Sequence, residues 1–185
     1  AARGFNDRNW RDVNLPHDWA VEQPYDPKAE KQEGYRQRGI GWYRRSFTVE
    51  EPDKRVSVRF DGVYMNPELW INGHRLGEHP HGYTGFEFDL TPHLNPPGKE
   101  NVLAVRVRNE GKNSRWYSGS GIYRHVWLSV TDPLHVSSVF VTTPEIYNDK
   151  ARVSIEGEIH NDGKTDAEAT VQVEVKSADG KLLQS

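Results

Sequence analysis

The sequence predicts an all-β protein built from β-sandwich units. Short runs of alternating apolar and polar residues, bounded by Gly, Pro, Asn and Asp, recur about every ten to fifteen residues, which is typical of sandwich strands. Helical periodicity is nearly absent. Six Trp, eight Tyr and six Phe are spread at regular intervals along the chain, and this distribution favours a globular protein with aromatic core residues over a disordered one.

Seven strands are expected in the first 132 residues. They lie near Trp42–Val49, Arg55–Phe60, Glu68–Ile71, Arg75–Gly77, Gly85–Leu90, Val102–Arg108 and Ile122–Ser129. Asn72-Gly73 predicts a two-residue type I′ hairpin turn, because both central positions of that turn need a positive φ. By alternation, Phe86 and Phe88 should face the core and Glu87 the solvent.

The composition of the chain changes near Thr131-Asp132-Pro133. The alternation is interrupted there, Trp is absent beyond it, and Val, Thr, Glu and Ala become frequent. We therefore predict two domains, residues 1–132 and residues 133–185. Strands of the second are expected near His135–Thr142, Ala151–Asn161 and Ala167–Ser177. An immunoglobulin-like sandwich needs about seven strands over roughly 100 residues, so we interpret residues 133–185 as the truncated start of one.

Charge and cysteine content exclude several kinds of partner. Lys plus Arg total 24 against 27 for Asp plus Glu, without runs of like charge, so neither nucleic acid nor an anionic membrane is an expected partner. The sequence has no Cys and therefore neither a disulfide nor a thiolate metal site. No cofactor is expected. The sequence does not decide the cellular location of the protein, although a periplasmic or secreted location is favoured over a cytoplasmic one.

Six sequence blocks between about residues 10 and 130 resemble the opening of bacterial β-galactosidases of glycoside hydrolase family 2, in the family's order. The blocks are VNLPHDW (13–19), GIGWYRRSF (39–47), FDGV (60–63), WING with GYTGFEFDLT (70–73 and 82–91), NVLAVRV (101–107) and SRWYSGSGIYR (114–124). The resemblance implies a jelly-roll-like sugar-binding sandwich, followed by an immunoglobulin-like domain. A TIM barrel that carries catalysis comes next in the family, and we expect it to be missing from this chain.

The loop between Asn109 and Gly121 is the main candidate site. It is rich in Gly and Ser and carries Arg115, Trp116 and Tyr117, and sugars stack on aromatic rings and hydrogen-bond to Arg and Asn. In the family this loop reaches toward the active site, and in some members it supplies an acidic residue that touches substrate and sodium. The sequence has no Asp there, so the sodium role does not carry over.

A second loop, near residues 35–42, approaches the active-site mouth in family members, although many have Leu-Pro-Gly where this chain has Arg36-Gln37-Arg38. The predicted substrate-binding residues from the two loops are Arg38, Asn113, Arg115, Trp116 and Tyr117. The alternative stays open that Trp116 belongs to the core and that Arg115 pairs with a carboxylate.

No catalytic or metal-binding residues are predicted. A retaining glycosidase needs two carboxyl groups about 5–5.5 Å apart across the scissile bond. Asn109-Glu110 follows a sandwich strand and is interpreted as an ordinary polar loop pair, whereas Asp89 should cap the turn that follows it. His17-Asp18 could be half of a catalytic relay, but no nucleophilic Ser or Cys stands at a motif position, so a structural hydrogen bond near the edge of the domain is the favoured interpretation. The three histidines His74, His79 and His81 are interpreted as parts of exposed turns.

Three functions remain in competition at this point. The chain could be an accessory region that shapes the sugar site of its own missing catalytic barrel, with a β-galactoside-like substrate. It could instead be an autonomous carbohydrate-binding module, with Trp42, Trp116 and Tyr117 as its aromatic platform. A structural sandwich that mediates contacts in a homo-oligomer is the third possibility. Sugar binding by the chain alone would separate the second function from the first.

Overall fold

The computed structural model describes residues 4–184 and divides the chain into two compact units, Ala1–Asp132 and Pro133–Ser185. In the described part, helix is confined to α1 (Trp19–Glu22) and to the short 3-10 turns Lys31–Glu33 and Thr91–His93. None of these is long and apolar enough to cross a membrane. The protein is all-β, as predicted.

The first unit consists of two antiparallel sheets. Its strands are β1 (Gly39–Phe47), β2 (Arg55–Phe60), β3 (Glu68–Ile71), β4 (His74–Glu78), β5 (Phe86–Asp89), β6 (Asn101–Asn109) and β7 (Val126–Thr131). The four-stranded sheet has the order β1-β6-β3-β4, and the three-stranded sheet has the order β5-β2-β7. The central strands β2, β3 and β6 are therefore paired on both sides.

A single apolar core is enclosed by these two sheets. It contains Val56, Val58, Phe60, Val63, Leu69, Ile71, Leu90, Leu103, Val105, Val107 and Ile122. In β6 the odd-numbered residues are all buried and Arg108 is exposed, because successive side chains of a strand point to opposite faces. Each fully buried Val, Leu, Ile or Phe contributes about 1.5–3 kcal/mol, so this core is the main source of stability of the unit.

Local details of the first unit confirm several predictions. Asn72 and Gly73 have φ values of 51° and 88° and connect β3 to β4, as a type I′ turn requires. Glu87 is exposed between the half-buried Phe86 and Phe88. Asp89 Oδ1 accepts hydrogen bonds from the backbone N–H (2.9 Å) and the hydroxyl (2.6 Å) of Thr91, so it caps the turn.

The second unit has two separate pairs of strands. Its strands are β8 (Leu134–Ile146), β9 (Ala151–Asn161), β10 (Val175–Lys176) and β11 (Leu182–Gln184). β8 pairs with β9, and β10 with β11. None of the described side chains after residue 132 is buried. Apolar side chains of β8 and β9 are exposed, among them Val136, Val139, Phe140, Val141, Ile146, Val153, Ile155 and Ile159.

Two predicted strands differ from the structure. The strand expected at Ala167–Ser177 is wrong for most of its length, because only Val175–Lys176 is paired. An extended segment becomes a strand only where another strand accepts its hydrogen bonds, and β8 and β9 already pair with each other. The strand expected to begin at Ile122 begins at Val126, since Gly121 makes an isolated bridge with Tyr64 instead.

Candidate functional site

A cleft of about 510 Å³ lies between the segment around residues 30–38 and the loop 109–121. It is lined by Glu30, Gln32, Arg38, Lys112, Asn113, Ser114, Arg115 and Trp116. We call it the Trp116 cleft. Four of the five predicted substrate-binding residues line it, whereas Tyr117 does not. The cleft opens to solvent and combines charged groups, amides and one indole ring.

The base of the loop is closed by Asn109, the last residue of β6. Its side chain is fully buried and donates hydrogen bonds to the Gly119 carbonyl (3.0 Å) and to Ser120 Oγ (2.8 Å). Its Oδ1 accepts a hydrogen bond from Asn113 Nδ2 at 2.8 Å. The interpretation of Asn109-Glu110 as an ordinary polar pair holds for the exposed Glu110 and is wrong for Asn109, which holds both ends of the loop together.

A buried ion pair within the 30–38 segment holds the loop 109–121 through further hydrogen bonds. The Glu33 side chain is only 3% exposed, and its Oε1 lies 3.1 Å from Arg38 Nη2. Glu33 Oε2 accepts hydrogen bonds from the backbone N–H (3.3 Å) and the hydroxyl (3.0 Å) of Ser118. Arg38 also donates to the Gly111 carbonyl. Because a buried charge is costly without a partner, this pair fixes the loop to the 30–38 segment.

Glu33 Oε1 has no hydrogen bond of good geometry, although it lies close to the Arg38 guanidinium. The attraction between Glu33 Oε1 and Arg38 Nη2, which lie 3.1 Å apart, is therefore mainly electrostatic. Arg38 therefore serves the structure of the cleft, and its positive charge is largely neutralised by Glu33.

Trp116 and Arg115 present the accessible groups of the cleft. The Trp116 side chain is 60% exposed, so the alternative in which it belongs to the core is wrong. The backbone N–H of Trp116 donates to Ser114 Oγ at 3.2 Å, and the Ser114 hydroxyl donates to the Trp116 carbonyl at 2.9 Å. Arg115 is exposed, and within residues 4–184 no carboxylate lies at ion-pair distance from it.

Tyr117 and Asn113 have different surroundings although they are close in sequence. The Tyr117 hydroxyl donates to Asp18 Oδ2 at 2.5 Å, and burial together with Asp18 raises the pKa of this phenol. Tyr117 thus braces the loop against the start of α1. Asn113 Oδ1 accepts a hydrogen bond from the Tyr64 hydroxyl at 3.3 Å, which holds its amide at the edge of the cleft.

The sequence analysis missed four of the cleft residues. Glu30 and Lys112 face each other across the cleft, with Oε1 and Nζ 3.5 Å apart. Gln32 and Ser114 complete the lining. Exposed charged and polar residues of this kind are common on any surface, so only the juxtaposition of two distant segments identifies them.

The polar groups near residue 17 are structural, as the sequence predicts. His17 Nδ1 lies 2.7 Å from the Tyr43 hydroxyl, and burial raises the pKa of Tyr43 to about 12. Asp18 Oδ1 accepts hydrogen bonds from the backbone N–H groups of Ala20 and Ser120, both at 2.9 Å. These contacts cap α1 and join it to the end of the loop 109–121.

The cleft can bind a polar ligand with a flat apolar face, but it offers no pair of catalytic carboxyl groups. Glu33 is committed to Arg38 and Ser118, and Glu30 pairs with Lys112. Outside the cleft, Glu87 lies 3.4 Å from the Arg55 guanidinium. An exposed indole beside an amide and a guanidinium is a combination that suits recognition of a sugar ring.

These features define a carbohydrate-associated β-sandwich, and comparison with known proteins agrees. The sequence profile of the glycosyl hydrolases family 2 sugar binding domain matches residues 8–133. The chain is 44% identical to a β-galactosidase of Bacteroides ovatus, over 98% of this chain and 22% of that protein. It is 40% identical to a putative β-glucuronidase of Formosa agariphila, over 97% of this chain and 18% of that protein.

Solved structures give the same assignment. A β-glycosidase from Bacteroides vulgatus superposes with a TM-score of 0.85 at 35% identity, over 98% of this chain and 24% of that chain. The chain belongs to glycoside hydrolase family 2 and contains the family's sugar binding domain. It spans about a fifth of the length of the curated relatives cited above.

Proposed function

We propose that this chain is the non-catalytic N-terminal region of a longer family 2 glycoside hydrolase. In this proposal the Trp116 cleft forms one wall of a sugar site, and a catalytic barrel beyond residue 185 completes it. The observation that carries the proposal is the exposed Trp116, which lies in a cleft next to the exposed guanidinium of Arg115. The relatives, which are several times longer, support the existence of the remaining part.

The separation of the catalytic groups from the substrate-binding residues of this chain follows from the chemistry of glycosidic bond cleavage. One carboxylic acid must protonate the leaving oxygen while a second carboxylate attacks the sugar or activates water. We assign both groups to the catalytic domain. Arg38, Asn113, Arg115, Trp116 and Tyr117 would bind or position the substrate: Arg115, Trp116 and Asn113 by contact, Arg38 and Tyr117 by holding the loop.

The domain assignment is part of the same proposal. Residues 1–132 would be the sugar-binding, jelly-roll-like domain, and residues 133–185 the start of an immunoglobulin-like domain whose other strands follow in the gene. The partners would be the chain's own catalytic domain and a β-galactoside-like carbohydrate. Because one relative is named a β-galactosidase and another a putative β-glucuronidase, both substrate classes belong in the test.

The first experiment compares the chain with the longer gene product. Both are assayed with p-nitrophenyl β-galactoside and p-nitrophenyl β-glucuronide. We expect hydrolysis by the longer product and background rates for the 185-residue chain. Turnover by the chain that disappears in Glu87→Gln or Glu110→Gln would contradict the proposal.

The second experiment tests the cleft in the longer product. Trp116→Ala should raise the KM about tenfold or more, since loss of sugar stacking on an aromatic ring removes ground-state binding, and kcat should change little. Trp127→Ala is the matched control, because Trp127 is also exposed (48%) and its indole N–H also has a partner, Asp61 Oδ2 at 2.7 Å. Equal effects of the two substitutions would show that the cleft has no special role.

An autonomous carbohydrate-binding module is the second candidate function. It is favoured by one observation, namely that Trp116 and Arg115 are already accessible in the chain alone. Calorimetric titration of the chain with galactose, lactose and glucuronate would test it. Millimolar or tighter binding that disappears in Trp116→Ala and persists in Trp127→Ala would favour the module over the accessory role.

A further inference from the structure

We propose that Tyr83 is a positioning residue of the Trp116 cleft, which fixes the orientation of the Trp116 ring. Its role toward sugar rests on the proposed function above. The Tyr83 hydroxyl accepts a hydrogen bond from Trp116 Nε1 at 3.0 Å. Tyr83 lies in the segment between β4 and β5, 33 residues from Trp116 in sequence, and it is not among the residues that line the cleft.

The hydrogen bond is well placed to control an exposed ring. The indole N–H is the only polar group of a Trp side chain, so one partner is enough to define the direction of the ring plane. Trp116 is 60% exposed, and few packing contacts would otherwise restrict its side-chain torsions. A ring that is already oriented in the free protein binds a sugar face without a further entropic cost.

Tyr83 can act as a fixed anchor because its own ring is held. Its centroid lies 5.3 Å from that of Tyr64, which is only 3% exposed. Gly82 allows this close approach, since a Cβ at that position would lie 2.3 Å from Cδ2 of the Tyr64 ring. On the other side of the segment, the Tyr123 hydroxyl donates to the Gly82 carbonyl at 2.8 Å.

The same aromatic pair also reaches a second cleft residue. The Tyr64 hydroxyl donates to Asn113 Oδ1 at 3.3 Å, while the Tyr83 hydroxyl accepts from Trp116. Burial raises the pKa of Tyr64, so its phenol stays protonated and remains a donor over the physiological range. The buried Tyr64 and the more exposed Tyr83, which packs on it, therefore each hold one residue of the loop 109–121.

A double-mutant cycle tests whether Tyr83 acts through Trp116. Tyr83→Phe removes only the hydroxyl, and Trp116→Phe keeps an aromatic face but loses the N–H. In the longer gene product we expect each single substitution to raise the KM about three- to tenfold, the range set by one hydrogen bond, with kcat within about twofold. The double variant should match Trp116→Phe, because the interaction is already absent there.

A spectroscopic measurement on the 185-residue chain tests the contact independently of sugar. The Trp116 indole ¹H–¹⁵N signal is assigned by its loss in Trp116→Phe. In Tyr83→Phe this signal should shift and its proton should exchange faster with water. Tyr147→Phe is the control, because it removes a tyrosine hydroxyl that donates to Glu145 Oε2 at 2.8 Å and not to the loop 109–121 or to the segment of Tyr83, and it should leave the indole signal and the KM unchanged.

The possible outcomes separate this inference from the proposed function. An unchanged indole signal in Tyr83→Phe, or KM effects of Tyr83→Phe and Trp116→Phe that multiply, would overturn the positioning role. If Trp116→Ala raises the KM while Tyr83→Phe does not, the positioning role alone is overturned. If Trp116→Ala leaves the KM unchanged, the proposed sugar wall fails, and the role of Tyr83 toward sugar fails with it.

Discussion

The two units of the chain use the same apolar–polar alternation with different results. In the first unit the apolar faces of two sheets meet, and Phe60 and Leu69 are almost completely buried. In the second unit β9 shows the same alternation, yet its Val153 and Ile159 are more than 40% exposed. Alternation thus predicts a strand and its apolar face, but whether that face is covered depends on a second layer.

A parallel contrast concerns two exposed aromatic residues. Trp116 and Phe140 have similar exposure, 60% and 65%. Trp116 lies in a cleft, and its N–H is bonded to Tyr83, whereas Phe140 lies in a strand opposite Glu156 without such an anchor. Exposure alone therefore does not identify a binding residue, and the orientation imposed by neighbours is the better indicator.

The largest expected effect is the loss of folding stability when a buried phenylalanine is replaced, compared with the replacement of an exposed one. Phe60→Ala should lower the free energy of unfolding of the first unit by about 3–5 kcal/mol, because it leaves a cavity in a closed core. Phe140→Ala should change the free energy of unfolding of the second unit by less than about 0.5 kcal/mol. Urea titration followed by circular dichroism measures both, and a comparable loss in the two variants would show that the second unit has a core of its own.

The second expected effect concerns the buried ion pair. Arg38→Ala leaves the Glu33 carboxylate buried without its cation and should cost about 3 kcal/mol. The double variant Arg38→Met with Glu33→Leu should cost less than the sum of the two single substitutions, since no isolated charge remains. Lys112→Ala, which breaks the exposed pair with Glu30, is the control and should cost less than about 0.5 kcal/mol.

The structural role of Arg38 would be contradicted if the double variant lost as much free energy of unfolding as Arg38→Met and Glu33→Leu together. An equal loss in Lys112→Ala and Arg38→Ala would also contradict it. Urea denaturation of Arg38→Ala, Arg38→Met, Glu33→Leu, the double variant and Lys112→Ala under identical conditions provides these numbers. The result also bears on function, because a cleft held by Arg38 and Glu33 must lose its shape when either charge is left alone.

The smallest effect is a pH dependence in the first unit. Burial, and to a lesser extent the nearby His81, lowers the pKa of His79 below its ordinary value of about 6.5. His79 stacks on Phe86 at 4.5 Å and contacts Thr84 Oγ1 at 2.9 Å. Its neutral form is favoured in the folded state, so its contribution to stability is complete above about pH 6.5 and is lost as the pH falls through the lowered pKa.

The test is the change of Tm between pH 7.5 and pH 5.5 in the native chain and in His79→Gln. We expect a smaller loss of Tm in the variant, because the unfavourable protonation of His79 has been removed. The same change of Tm in both proteins would show that His79 does not contribute to the acid sensitivity.

Much of the first unit could be predicted from sequence because its signals are local. The Asn72-Gly73 turn, the alternation around Glu87 and the Gly/Ser-rich, aromatic composition around Trp116 are each contained within a few consecutive residues. Such patterns depend on backbone geometry and on side-chain polarity, which neighbouring residues reveal. The structure brings four of the five predicted cleft residues together, although their contact with sugar stays a prediction.

The remaining features depend on distant contacts that have no local signal. Ser118 meets Glu33 across 85 residues, and Trp116 meets Tyr83 across 33. The prediction of a strand at Ala167–Ser177 was wrong for a related reason. An apolar alternation predicts an extended segment, but it does not reveal whether another strand is available to pair with it. Sequence patterns thus identify candidate faces, and only the fold shows which faces meet.

Amide hydrogen exchange of the whole chain tests the contrast between the units most directly. One monomeric sample reports on both units at once, and the backbone amides of β6 can be compared with those of β8 and β9. Our account predicts that the amides of Val102–Arg108 exchange at least about 100-fold more slowly than those of β8 and β9, because opening them requires opening the enclosed core. Equally slow exchange in both units would contradict it.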